Sequence, residues 1–165
     1  MIHYKTGDAT EPFIKTGTRV IAHVCNDEGK WGAGFSGALS AKWKDPEDYY
    51  RKQSRHAKTR FKLGAVQWVF VDLDLAVANM IAQEGVRSVL NQKPIRYESL
   101  EVCLNKLAEG CHGLIGDSAS IEKKRVTVHM PRIGCGLAGG TWDVVGQLIE
   151  DALWDLDVYV YDLER

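Results

Sequence analysis

The chain has 165 residues, of which 45% are hydrophobic and 26% charged, and its formal net charge is −1. This length suits one domain that buries roughly two thirds of its unfolded surface, so we expect a single domain over residues 1–165. The near-zero charge excludes a protein whose whole surface attracts nucleic acid or an anionic membrane. Such binding would need a local patch.

The four cysteines, Cys25, Cys103, Cys111 and Cys135, are far apart, and no two form a CxxC pair. This spacing argues against a zinc knuckle or a thioredoxin-like motif, and free thiols in a reducing compartment are expected. The sequence shows no signal-peptide pattern and no apolar run near the ~20 residues of a membrane span. We therefore expect a cytoplasmic protein without membrane contact, and neither a metal nor a cofactor.

Short apolar runs alternate with helical patterns along the chain. In chain order they predict strands at 1–6 and 19–25, helices at 35–43 and 45–57, strands at 65–71 and 75–83, a helix at 95–113, a strand at 124–130, a helix at 141–155 and a strand at 157–163. Asp45 is the expected N-cap of the second helix with Pro46 at its first position, and Gly110 is expected near the end of the third.

This alternation predicts an α/β domain whose mixed sheet is covered on both faces. In such sheets ligands bind beyond the carboxyl ends of the strands. We therefore expect the three loops that follow residues 1–6, 19–25 and 125–130 to lie together.

The third of these loops reads HMPRIGCGLAGGTW over residues 129–142. Gly134, Gly136 and Gly139 match the GxGxxG dinucleotide pattern, but only one further strand follows them, where a dinucleotide fold needs several. NAD binding by this motif is therefore rejected. Glycines before a helix still let backbone N–H groups approach an anion, which favours phosphate or diphosphate binding. The alternative is that they only form a tight turn.

The second loop, in HVCNDEGKWGAGFSGAL over residues 23–39, is also rich in glycine before a helix. Two such loops in one small domain indicate a ligand with two phosphates, or with a phosphate and a sugar. In the first loop, Asp8 offers a carboxylate that could accept hydrogen bonds from an amine or hydroxyl, although a role in the turn is the alternative.

Together, GDAT, IAHVCNDEGKWGAGFSGAL, MPRIGCGLAGGTW and VYVYDL resemble the macrodomain family over nearly the whole chain. The resemblance is greatest to the branch with terminal ADP-ribose protein glycohydrolase and yeast ADP-ribose 1″-phosphate phosphatase. It implies a three-layer α/β/α macrodomain with a central mixed sheet and an ADP-ribose cleft at the carboxyl edge of that sheet.

The resemblance also implies which residues bind ADP-ribose. Asp8 would accept a hydrogen bond from the adenine amino group beside a backbone contact at Ala9, and Tyr161 would lie near the adenine or its ribose. The distal ribose and part of the diphosphate would be surrounded by Asn26, Trp31, Gly32, Ala33, Gly34 and Phe35. Backbone N–H groups would wrap the diphosphate along Arg132, Ile133, Gly134, Cys135, Gly136, Leu137 and Ala138.

The sequence departs from its relatives at two catalytic positions. Gln83 aligns with the lysine that attacks the ribose in the glycohydrolase, and Ala138 stands where an aspartate assists. An amide has no useful pKa, so Gln83 could orient water or a leaving group without acting as a base. Asn26 resembles a residue that positions water or ribose, and Asp27 is a candidate general base, with a solvated loop carboxylate as the alternative.

Three other features have plainer explanations. His23 lies in an apolar strand and is expected to be a hydrogen-bonded core histidine more than a catalyst. Cys135 lacks a C-x5-R phosphatase signature and is expected to be a small packed residue. Residues 42–62 carry many Lys and Arg with interleaved aromatics, which could track nucleic acid. We favour an amphipathic helix there, with Tyr49 or Tyr50 turned to the core.

The sequence therefore predicts a monomeric ADP-ribose-binding macrodomain that is an ADP-ribosyl hydrolase, with ADP-ribosylated protein or DNA as its partner. The linkage would be an ester to a protein carboxylate or a bond to a DNA base. Two alternatives stay open: a phosphatase acting on ADP-ribose 1″-phosphate, and a reader that binds ADP-ribose without cleaving it.

Overall fold

The computed structural model describes residues 1–56, 61–116 and 124–165, and every predicted strand and helix is present there. The elements are β1 (Ile2–Thr6), β2 (Thr18–Asn26), α1 (Phe35–Lys42), α2 (Asp45–His56), β3 (Val66–Asp72), β4 (Leu75–Gln83), α3 (Tyr97–Ile115), β5 (Val126–Pro131), α4 (Trp142–Ala152) and β6 (Asp157–Asp162).

The six strands form one mixed sheet in the order β1-β6-β5-β2-β4-β3. Neighbouring strands are parallel throughout except for the edge pair β3 and β4, which is antiparallel. β4 and β5 are buried along nearly their whole length, as expected for strands covered on both faces. The parallel strands therefore end at one edge of the sheet, which is where the glycine-rich loops begin.

Helices cover both faces of this sheet. The largest hydrophobic cluster joins the strands to α3 and α4 through residues such as Leu104, Leu107 and Ile149. Smaller clusters pack α1 and α2 against the opposite face, around Leu39 and Tyr50. The three-layer α/β/α architecture with a mixed central sheet is thereby confirmed.

The structure confirms one prediction about the helix ends and corrects another. Gly110 lies near the C-terminal end of α3, as predicted, and the helix continues to Ile115, where it is capped by Gly116 with φ 90°. A side chain at Gly110 would overlap the ring of Trp68, so this glycine serves close packing between the helix and the sheet. Asp45 is the first residue of α2 and not its N-cap, which moves Pro46 one position into the first turn.

α2 is amphipathic, as we favoured for this basic segment. Tyr50 is fully buried, whereas Tyr49 lies at the surface. Arg51 forms an ion pair with Glu47 one turn earlier, at 2.8 Å. Residues 57–60 of the proposed nucleic-acid patch lie outside the described residues. No helix in the described ranges is both long and apolar enough to cross a membrane.

Candidate functional site

A cleft opens at the carboxyl edge of the sheet, where β2, β4 and β5 end. It consists of two adjoining cavities of about 400 and 410 Å³, within the usual size of small-molecule sites. One cavity, the 131–138 half, is lined by the loop after β5, and the other, the 26–34 half, by the loop after β2. Both halves are lined by Val24, Gly34, Ser36, Gln83 and Leu137, so they form one continuous cleft.

The loop after β5 lines the cleft and contains backbone N–H groups without a hydrogen-bond partner among the described residues. Gly134 has φ 69°, a left-handed conformation that favours glycine, and its carbonyl accepts a hydrogen bond from Gly140 at 2.8 Å. The amides of Gly134, Gly136, Leu137 and Ala138 donate to no acceptor among the described residues. All four residues line the 131–138 half, so these donors are available to an anionic ligand.

The loop after β2 adds the N-terminus of α1 to the same cleft. Gly34 caps this helix without a side-chain hydrogen bond. The first N–H groups of a helix have no partner within it and carry partial positive charge. A Cβ on Gly32 or Gly34 would meet no heavy atom within 4 Å, so these glycines leave open space beside those amides.

Asn26 organises the loop after β2. Its Oδ1 accepts hydrogen bonds from the amides of Glu28 and Lys30, at 3.0 and 3.1 Å, and from the hydroxyl of Tyr50 at 2.9 Å. Its Nδ2 donates to the carbonyl of Lys30 at 2.6 Å. The side-chain oxygen of Asn26 is thus already used to shape the loop, although the residue lines the 26–34 half.

Asp27 is buried rather than solvated, and its carboxylate connects this loop to the segment after β4 by a hydrogen bond. Its Oδ1 accepts a hydrogen bond from the amide of Gly85 at 2.8 Å. That segment continues as a tight hairpin in which Ser88 and Asn91 exchange backbone hydrogen bonds, leaving Val89 and Leu90 exposed at its tip. We call residues 84–92 the cleft hairpin.

Gln83 is the catalytic candidate that lies where both halves of the cleft meet. Its Nε2 donates to the carbonyl of Gly85 at 3.2 Å, which orients the amide. Asn26 also lines the cleft, whereas Asp27 borders neither half. The catalytic roles of Asn26, Gln83 and Asp27 stay predictions, and the geometry favours Gln83 among them.

His23 is a buried, hydrogen-bonded histidine, as predicted. Its Nε2 lies 2.6 Å from Oδ1 of Asn79, its register partner on the neighbouring strand β4. Burial lowers the pKa of His23 to about 4, although the hydrogen bond to Asn79 acts in the opposite direction. The imidazole is therefore neutral near pH 7. Its Nδ1 lies 3.4 Å from the hydroxyl of Ser36.

Sequence reasoning missed Ser36 and Asn79 as site residues. Ser36 lines both halves of the cleft, and Asn79 supports the histidine behind it. The available signals were a polar side chain at the start of α1 and an amide side chain in the middle of the apolar strand LAVANMIAQ.

The first loop lies beside the cleft instead of lining either cavity. Oδ1 of Asp8 accepts hydrogen bonds from the amide and the hydroxyl of Thr10, both at 2.8 Å, so the turn role of this carboxylate is confirmed. Ala9 packs with Tyr161 and with Phe35 of α1. The hydroxyl of Tyr161 is engaged inside the protein, 2.8 Å from Nδ1 of His129. Ligand contact at Asp8, Ala9 and Tyr161 stays a prediction.

The side chain of Arg132 is engaged by a cluster of neighbouring side chains that we call the Arg132 clamp. Its Nε and Nη2 donate to the carboxylate of Asp162 at 2.6 and 2.8 Å. Its guanidinium also lies 5.2 Å from the ring centroid of Tyr4 and 5.0 Å from that of Trp142. Arg132 lines the cleft, but its charge is neutralised at the end of β6.

The remaining predicted ligand residues divide between the cleft and its surroundings. Trp31 lines the 26–34 half, and its Nε1 donates to Ser40 at 2.8 Å. Cys135 packs against the main core and lines neither half, consistent with a small packed residue. The other predicted residues that line the cleft are Gly32, Ala33, Gly34, Phe35, Ile133, Gly134, Gly136, Leu137 and Ala138.

A three-layer α/β/α fold with open amides at the carboxyl edge of its sheet defines an anion-binding α/β domain. No protein-family model matches the chain. The solved structure of a macrodomain protein from Streptomyces coelicolor is 45% identical with a TM-score of 0.80, covering 98% of this chain and 99% of that one. The chain therefore belongs to the macrodomain family.

Two curated proteins are more distant relatives. The ADP-ribose 1''-phosphate phosphatase of Candida albicans is 27% identical over 164 residues, which are 95% of this chain and 94% of that protein. Mouse chromodomain-helicase-DNA-binding protein 1-like is 27% identical over 168 residues, which are 99% of this chain. The match spans only 18% of the length of that mouse protein.

Proposed function

We propose that this chain binds ADP-ribose in the cleft and hydrolyses the bond between ADP-ribose and a modified macromolecule. The observation that carries the proposal is the pairing of two amide-rich loops in one continuous cleft. The 131–138 half offers four open N–H groups, and α1 directs its N-terminus to the junction of the halves. Such donors suit the two phosphates of a diphosphate.

The predicted contacts follow from this arrangement. The diphosphate lies along Gly134 to Ala138, and the distal ribose lies in the 26–34 half near Trp31 and Gln83. The adenine extends toward Ala9 and Tyr161. This orientation brings the anomeric carbon of the distal ribose toward the cleft hairpin.

A macromolecular leaving group suits the open side of the 26–34 half. Leu137 and Arg87 line this half, Leu137 is 77% exposed, and Leu90 in the cleft hairpin is 99% exposed. A group attached to the distal ribose would therefore emerge into solvent. We expect an ester to a protein carboxylate or a bond to a DNA base as the substrate linkage.

Two other functions have specific support. The similarity to the Candida albicans phosphatase over nearly its whole length favours ADP-ribose 1″-phosphate as a substrate. Gln83 and Ala138, which stand where the resembling glycohydrolase has its lysine and aspartate, favour a reader that binds without cleavage.

One set of measurements separates these functions. Calorimetry with free ADP-ribose tests binding, and absence of heat would refute the proposal and both alternatives. The protein is then incubated with ADP-ribose 1″-phosphate, with protein ADP-ribosylated on carboxylates, and with DNA ADP-ribosylated on a base. Release of ADP-ribose from protein or DNA supports the hydrolase. Release of inorganic phosphate alone supports the phosphatase, and binding without product leaves the reader.

A further inference from the structure

We propose that Ser36, His23 and Asn79 form a proton relay that activates the attacking water when the ADP-ribosyl bond is cleaved. This inference rests on the proposed hydrolase function and assigns a base to the cleft, whose lining among the described residues contains no carboxylate. Gln83 is an amide and Ala138 a methyl group, so neither residue can accept a proton from water. The carboxylate of Asp27 is buried outside both halves of the cleft.

The hydrogen bonds of the buried residue Asn79 determine which nitrogen of His23 carries the proton. Nδ2 of Asn79 donates to the carbonyl of Pro46 and to Oε1 of Gln67, both at 3.2 Å. The amide oxygen of Asn79 therefore faces Nε2 of His23 as an acceptor at 2.6 Å, which places the imidazole proton on Nε2. Nδ1 is left as an acceptor for the hydroxyl of Ser36.

At the cleft, Ser36 can accept a hydrogen bond from the reacting water. When Ser36 donates its proton to His23, its Oγ presents lone pairs to the cleft. A water bound there donates one hydrogen to Ser36 and keeps its own lone pair for the ribose. The separation of 3.4 Å between Ser36 and Nδ1 is long, as is common for catalytic hydrogen bonds before a substrate binds.

The basicity of His23 suits this reaction. Cleavage of a glycosidic bond passes through an oxocarbenium-like state, and water becomes acidic as it adds to that cation. Glycoside hydrolases remove its proton with carboxylates, whose ordinary pKa is about 4. Burial gives His23 a pKa of about 4, so its imidazole can serve as a comparable base.

The proposed step balances for an ester to a carboxylate. The water oxygen forms a bond to the anomeric carbon while the bond from that carbon to the leaving carboxylate oxygen breaks with its electron pair. The water proton passes to Oγ of Ser36 as the hydroxyl proton of Ser36 passes to Nδ1 of His23. The carboxylate leaves as an anion, and the imidazolium then releases its proton to solvent through Ser36.

The test compares Ser36→Ala with wild type on protein ADP-ribosylated on carboxylates. Loss of general base catalysis typically costs 10²–10⁴-fold, so we expect kcat to fall about 100-fold with little change in the Kd for ADP-ribose. Ser36→Thr keeps a hydroxyl and should retain most of the activity. Ser99→Ala removes a hydroxyl from α3, away from the cleft, and is the matched control.

Rescue by azide tests whether Ser36 takes part in proton transfer or only supports the structure. Azide is an anion that attacks an oxocarbenium-like carbon without giving up a proton. Added azide should therefore restore cleavage by Ser36→Ala and yield ADP-ribosyl azide, detected by mass spectrometry. Because the residues act as a unit, Ser36→Ala combined with His23→Phe should lose no more kcat than Ser36→Ala alone.

The outcomes distinguish the relay from the function on which it rests. If wild type releases no ADP-ribose from any substrate, the proposed function fails and the relay fails with it. If wild type cleaves the ester and Ser36→Ala cleaves it equally fast, only the relay is refuted. A loss in Ser36→Ala that azide does not restore also refutes it.

Discussion

Replacing Gly136 with glutamate tests the diphosphate site directly. Gly136 lines the 131–138 half, its φ is not positive, and an added Cβ would meet no heavy atom within 4 Å. Gly134 is less suitable, because its φ is 69° and a Cβ there would lie 3.1 Å from Ile95. Gly136→Glu therefore changes the cleft without straining the backbone.

The expected loss follows from the charge that is introduced. Two unit charges about 5 Å apart at an effective dielectric constant of about 20 repel by roughly 3 kcal/mol. This repulsion weakens ADP-ribose binding by about 100-fold. Gly136→Gln adds similar size without charge and should weaken binding less than 10-fold. Gly113→Glu adds the same charge on α3, where a Cβ also meets no atom within 4 Å, and should bind as wild type does.

Calorimetry on the three variants and wild type provides the comparison, and thermal denaturation confirms that each variant is folded. Wild-type affinity in Gly136→Glu would refute the placement of the diphosphate. An equal loss in the glutamate and glutamine variants would show that space, and not charge, limits binding at this position.

Two further predictions concern stability. Arg132→Met should lower the free energy of unfolding by about 1–2 kcal/mol, since it removes an exposed bidentate ion pair and two cation–π contacts. Arg125→Met, which loses a single exposed pair at 3.7 Å, is the control, and equal melting temperatures for the two variants would contradict this reasoning. Burial also lowers the pKa values of His23 and His129 to about 4 and 3, from about 6.5 when unfolded. The unfolded chain thus binds more protons below pH 6.5, and stability present above that pH is lost as pH falls toward the folded values. At pH 5 the loss is roughly 2 kcal/mol for each histidine. Urea unfolding at pH 7.5 and pH 5 measures it, and equal free energies would contradict it.

The order of strands and helices could be predicted from the sequence because hydrophobic periodicity and glycine placement are local signals. The same holds for the two glycine-rich loops, which follow buried strands and precede helices. The packing role of Gly110 could not be predicted, because the ring that it contacts belongs to Trp68, more than 40 positions earlier in the chain.

The partners of polar side chains could not be predicted in this way. Arg132 lies in a loop with the composition of a phosphate site, yet its guanidinium donates a hydrogen bond to Asp162 at the end of β6. His23 and Asn79 are 56 positions apart and meet only because β2 and β4 pair in one register. Such contacts depend on strand order, which no local pattern in the sequence specifies.

Because of the cleft hairpin, the choice of leaving group and the affinity for the nucleotide can depend on different segments of the chain. Gln83, the last residue of β4, directly precedes the hairpin. The side chain of Asn91 connects its two arms by donating hydrogen bonds to the carbonyls of Glu84 and Val86. Its tip contributes nothing to the sheet, and the amides proposed for the diphosphate lie on another loop. If the proposed function holds, we expect insertions or substitutions at residues 88–90, which line neither half of the cleft, to alter which leaving group is accepted while nucleotide affinity is retained. This makes the segment a suitable region to diversify when selecting for new substrates.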